Sequence, residues 1–132
     1  MTEGHTVSIS IDRSADDVYD YLAEPARIPE WSEFITKIRR EGDQWIATTK
    51  SGEQCMMIFV PKNHLRALDH DVIVSPTLTV HVPIRVLRNG EGSEVIFTIF
   101  RLAGMDDAAF AKDIAMVETD LRGMKRVLEG KK

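Results

Sequence analysis

Between Phe110 and Leu128 the chain places apolar residues at alternating steps of four and three: Phe110, Ile114, Val117, Leu121, Met124 and Leu128. That spacing aligns them along one stripe of an α-helix. Asp106 or Asp107 is positioned to cap its start, and it runs to about Glu129, roughly 33 Å at 1.5 Å per residue. Gly123 falls opposite the stripe and reads as a solvent-side position. Before this rod the pattern is that of strands: Phe34–Arg40, Gln44–Lys50, Glu53–Val60, His64–Val74, Thr77–Arg88 and Ser93–Leu102. Glu41-Gly42-Asp43, Ser51-Gly52, Pro61-Lys62-Asn63, Ser75-Pro76 and Asn89-Gly90-Glu91-Gly92 separate them, each with residues that turns favour. Loops this short join antiparallel neighbours. Val7, Ile9 and Ile11 alternate with Ser8, Ser10 and Asp12, adding a half-buried first strand. Ser14 then caps a helix with Asp16 and Asp17 in its first turn and Val18, Tyr21 and Leu22 on its inner face. Pro25 ends it, and Ala26–Trp31 forms a second short helix. The pattern predicts an α+β domain over residues 1–132: a curved antiparallel sheet of about seven strands wrapped around the long C-terminal helix, with a hollow between them.

Composition narrows the class. A chain of 132 residues, 43% hydrophobic and 29% charged, is ordinary globular material. Net charge is −4 and the basic residues form no patch, which argues against a nucleic-acid partner. The final Lys131-Lys132 reads as a solvated tail. Cys55 is the only cysteine, so no intrachain disulfide is possible and a reducing compartment fits. No apolar run approaches the roughly 20 residues of a membrane span, and Met1–His5 lacks a signal-peptide core. A cytoplasmic protein without cofactor or metal is the expectation.

The sequence resembles the START-like, SRPBCC helix-grip superfamily, in its polyketide-cyclase/dehydrase branch. Val7-Ser8-Ile9-Ser10-Ile11, the stretch Ser14 to Leu22, Pro29-Glu30-Trp31, Leu68-Asp69-His70, Val82-Pro83-Ile84-Arg85-Val86, Phe110 and Asp120-Leu121 carry the resemblance, which covers nearly the whole chain. It implies a cavity between sheet and C-terminal helix. It implies no single function, because members of this superfamily carry apolar ligands, cyclise, hydrolyse or activate chaperones.

Turn lengths give an expected register. Treating Ser75-Pro76 as a two-residue turn sets Val74 against Thr77 and His70 against His81. The same logic at the other turns puts Trp45, Ala47, Met56, Ile58, Val60, Leu65, Ala67, Asp69, Asp71, Val80, Val82, Ile84, Val86, Val95, Phe97, Ile99 and Arg101 on the concave face. A bulge at Pro83 would invert part of this set. The expected ligand-binding residues are therefore Trp31, Trp45, Met56, Ile58, Asp69, Asp71, Val82, Ile84, Phe97, Ile99, Arg101, Phe110, Ile114 and Val117. Asp69, Asp71 and Arg101 are the polar exceptions on an apolar wall, placed either to orient a ligand's oxygen or to form a structural ion pair. Asp69-His70-Asp71 is no metal or catalytic cluster, because successive strand side chains point to opposite faces. His70 and His81 fall on the convex face, where they read as a plain surface pair with a metal-binding pair as the alternative, and His5 and His64 add no ligand spacing. Cys55 reads as buried and inert.

Three functions follow. The first is binding of a small apolar or amphipathic molecule in the cavity. The second is an enzyme of the cyclase, dehydratase or hydrolase kind, with Asp69 as acid or base and Arg101 holding an oxygen. The third is a protein-partner module. It rests on Met57, Phe59, Leu68, Val72, Ile96 and Phe100, an apolar convex set that also suggests a homodimer.

Overall fold

Turn geometry builds the sheet in the computed structural model, which describes residues 1–130. The order is β1 (Gly4–Ile11), α1 (Ala15–Leu22), a 3₁₀ turn (Pro25–Arg27), α2 (Ile28–Trp31), β2 (Ile35–Glu41), β3 (Gln44–Thr49), β4 (Gln54–Phe59), β5 (His70–Ser75), β6 (Leu78–Val82), β7 (Ile84–Asn89), β8 (Gly92–Phe100) and α3 (Asp107–Gly130). The Ser14 hydroxyl accepts from the Asp17 N–H at 3.1 Å to start α1. Asp106 does the same for α3, accepting from Ala109 N–H at 2.8 Å. The expected tail Lys131-Lys132 lies outside the described residues.

The strands pair antiparallel as β2-β3-β4-β5-β6 and β1-β8-β7. The expected strand Thr77–Arg88 is interrupted at Pro83, whose missing N–H breaks the ladder, so eight strands replace about seven. The two sheets stay joined around this kink. Leu68 N–H donates to Ile84 O at 2.8 Å and Val86 N–H to Arg66 O at 3.1 Å, continuing the β5 register onto β7. The expected strand His64–Val74 is regular only from His70. Ahead of it the chain wraps around Asn63, whose amide donates to the carbonyls of Pro61 and Ala67 and whose Oδ1 accepts from the N–H groups of Leu65 and Ala67.

Two turns overturn the expected register, each by one residue. β3 and β4 are joined by Lys50-Ser51-Gly52, with Gly52 at φ 91°, rather than by two residues. Trp45 therefore faces Met57, and the β4 faces invert. At the next hairpin the turn is Pro76-Thr77, and a shift between Ile73 and Ser75 resets the pairing. His70 lies opposite Val82 and Asp71 opposite His81, not His70 opposite His81. A one-residue slip exchanges the two faces of a strand. Met57, Phe59, His70 and Val72 thus turn inward and Met56, Ile58 and Asp71 outward. Between β7 and β8 the turn Gly90-Glu91 pairs Ile84 with Phe97 and Val86 with Val95 on one face, as expected.

Leu121, Met124 and Leu128 of α3 are buried against Ile11, Val18, Val86 and Val95. Burying each such side chain stabilises the fold by about 1.5–3 kcal/mol. A second cluster, Ile28, Ala47 and Met57, extends the core beneath β2, β3 and β4. Gly123 is buried too, contrary to its expected solvent position, because the Trp31 backbone lies directly against it.

Candidate functional site

Where α1, α2 and α3 cross the concave sheet, side chains leave a cavity of about 250 Å³. Tyr19, Leu22, Ile28, Trp31 and Met124 close it from the helical side; Met57, Phe59, Val72, Val82, Ile84 and Phe97 form the sheet wall. Lys62 and Asp69 also border it. Its surface is predominantly apolar, with few polar groups reaching it.

Of the residues expected to bind ligand, Trp31, Asp69, Val82, Ile84 and Phe97 line this cavity. The remainder lie elsewhere. Trp45 packs at the second cluster. Met56 and Ile58 stand on the outer face, where Ile58 is 38% exposed. Asp71 pairs there with His81, Oδ1 to Nδ1 at 2.8 Å. Ile99 and Phe110 are buried away from the cavity, and Ile114 and Val117 of α3 do not reach it.

Asp69 and Arg101, the expected acid–base and oxygen-holding pair, serve separate junctions. Asp69 Oδ1 accepts from the Ile84 N–H at 3.1 Å and from the Arg85 guanidinium, so it ties down the backbone just past the Pro83 kink. Arg101 bridges Glu3 at 3.3 Å and Asp107 at 2.8 Å, donates from Nε to the Met105 carbonyl at 3.0 Å, and lies over the Phe110 ring. It fixes the passage from β8 into α3 and does not line the cavity. The apolar convex set behind the partner and homodimer expectations is also reduced: Phe59, Leu68 and Val72 line the cavity, as does Met57, which is only 6% exposed.

Polar residues outside the expected set also line it, among them His70 and Asp120. His70 stacks on Phe59 with ring centroids 4.9 Å apart, and its Nδ1 lies 3.1 Å from the Leu68 carbonyl oxygen. A carbonyl only accepts, so Nδ1 carries the proton and the neutral ring keeps a lone pair on Nε2. Burial holds the His70 pKa below its ordinary value and favours that neutral form. Asp120 of α3 borders the cavity opposite the sheet. Its Oδ2 accepts from Ser32 Oγ at 3.1 Å and its Oδ1 from Glu33 N–H at 3.1 Å. Burial nevertheless pushes its pKa up to about 6, outweighing the two hydrogen bonds that favour the anion. Asp120 falls three residues after Val117 and four before Met124, at the edge of the apolar stripe. An acid in that position is the signal that sequence inspection had available.

A curved antiparallel sheet gripping a long C-terminal helix over a cavity defines the START-like, helix-grip class. Residues 4–129 match the family described as polyketide cyclase / dehydrase and lipid transport, and the chain belongs to it. Its fold is similar to that of an uncharacterised protein from Bacillus thuringiensis (TM-score 0.81, 17% identity, 96% of this chain and 98% of that one). It is similar also to XoxI from Bacillus cereus (TM-score 0.82, 17% identity, 97% and 96% covered). A START superfamily protein from Mycobacterium smegmatis shares the architecture at 9% identity, with a TM-score of 0.77 over 98% of this chain and 99% of that one. No curated protein matches the chain. No helix among the described residues is long and apolar enough to cross a membrane.

Proposed function

We propose that this protein binds a small apolar or amphipathic molecule in the cavity between its sheet and its helices. The observation that carries this reading is the cavity itself: about 250 Å³ of space left open at the centre of the fold, with mostly apolar walls. Protein interiors are otherwise packed to crystal density, so an opening of this size is not an ordinary packing defect. Ligand pockets commonly span about 300–1,000 Å³. At about 250 Å³ this one falls just below that range and suits a compact ring system or a short chain rather than a two-chain lipid. The neutral fluorophore N-phenyl-1-naphthylamine tests the reading. Its emission rises on binding to the native protein, and Val72→Trp, which fills the cavity from the β5 wall, abolishes the rise. Equal fluorescence from both proteins, with Val72→Trp folded, would place the dye elsewhere and remove the proposal.

A further inference from the structure

Resting on the cavity-binding reading, the polar groups of the wall narrow the ligand's chemistry. His70 presents Nε2 as an acceptor, because its Nδ1–H is committed to the Leu68 carbonyl. Asp120 is also an acceptor when ionised. Each of its oxygens takes one bond from the protein, which leaves lone pairs unused. Asp69 is held by Ile84 and Arg85. The bordering cation, Lys62, is mostly exposed and paired with Asp20 at 3.2 Å, so it is screened and already matched. His70 and Asp120 therefore call for hydrogen-bond donors, while the Trp31 indole N–H, buried without a partner in a residue of the same wall, calls for one acceptor. A hydroxyl, donor and acceptor at once, meets both demands, and among the described residues no free cation borders the cavity to receive an anion.

We propose that His70 and Asp120 make the cavity selective for uncharged molecules that bring a hydroxyl group, and set it against carboxylates of the same shape. A carboxylate inside would lose its hydration, meet the lone pair of His70, and lie near the charge of Asp120. A hydroxyl can donate to either acceptor and leave its apolar body against Phe59, Val72 and Phe97.

The test compares naphthalene, 2-naphthol and 2-naphthoate by calorimetric titration at pH 7.5. The native protein is expected to bind 2-naphthol at least tenfold more tightly than 2-naphthoate. His70→Phe keeps a ring against Phe59 and is expected to weaken 2-naphthol about tenfold, the worth of one good hydrogen bond, while leaving naphthalene unchanged. Asp120→Asn is expected to tighten 2-naphthoate several-fold, a gain that a merely structural role would not produce. This second variant keeps the question open to test if His70→Phe does not fold. Naphthoate binding as tightly as naphthol, weakened by Lys62→Ala, would overturn the selectivity and place the polar end at Lys62, with the cavity reading intact. No binding by any of the three would overturn the cavity reading as well.

Discussion

A Cβ added at Gly123 would stand 2.1 Å from the carbonyl oxygen of Trp31. Glycine there lets the end of α2 lie directly against α3, and this contact holds Trp31 at the cavity wall. The Ser32 hydroxyl and Glu33 N–H then reach Asp120 at 3.1 Å each, three residues back along α3.

Gly123→Ala should therefore destabilise the protein. In a helix interior alanine normally gains about 1 kcal/mol over glycine, whereas overpacking costs about 1–3 kcal/mol. Here the clash is with backbone, which cannot rotate aside, so the steric term wins. A net loss of about 2 kcal/mol is expected in urea unfolding, with a change in tryptophan emission as Trp31 is displaced. A variant as stable as the parent would show that α2 can slide without cost.

The β4 register is tested by two adjacent methionines. Met57 is 6% exposed and faces the core, so Met57→Ala should cost about 2–5 kcal/mol. Met56 stands on the outer face, opposite Ile73, and its replacement by alanine should cost less than about 1 kcal/mol. Unfolding curves with these two costs exchanged would restore the two-residue turn at Ser51-Gly52.

That pair also shows what could be read from sequence. The α3 stripe, the Ser14 cap and β1 were legible because their signals are periodic and local. So was the inward set Val82, Ile84, Val86, Val95 and Phe97, since the Gly90-Glu91 turn leaves one residue count. The faces of β4 and β5 were not legible. Lys50-Ser51-Gly52 closes as three residues through a left-handed glycine, and a bulge near Val74 shifts the next hairpin. Either event changes the count by one, and the period-two alternation turns that into full inversion. The turn count consequently places His70 outside and Asp71 inside, the reverse of the structure. Asp120 needed no register, only attention to an acid bordering an apolar stripe.

Asp69 is expected to matter for the kink rather than for turnover. Asp69→Ala leaves the Ile84 N–H without its side-chain acceptor beside Pro83, which should cost about 1–3 kcal/mol. Asp69→Asn retains a carbonyl oxygen for that N–H and should cost less. Equal stability of the parent and the alanine variant in thermal melts would show that the carboxylate does not hold the kink.

Asp120 should give the protein a stability that falls as pH rises through the weakly acidic range. Its carboxyl keeps a proton up to about 6 in the folded state, against 3.8 as the ordinary value. Between those values the native state binds more protons than the unfolded chain, so unfolding free energy declines with pH. The favourable balance is fully present below 3.8 and lost as pH passes about 6. His70 acts in the opposite sense. Burial lowers its pKa from 6.5, so its contribution is present above that value and lost as pH falls toward the folded pKa. The two slopes oppose each other in the parent protein and are separated by Asp120→Asn, which removes one and leaves the other. Measured by urea unfolding from pH 4 to pH 7.5, the variant should gain on the parent by about 1–2 kcal/mol across that interval, after allowance for solvent screening of a partly exposed group. A gap that stays constant with pH would mean that Asp120 titrates normally and that water reaches it through the cavity mouth.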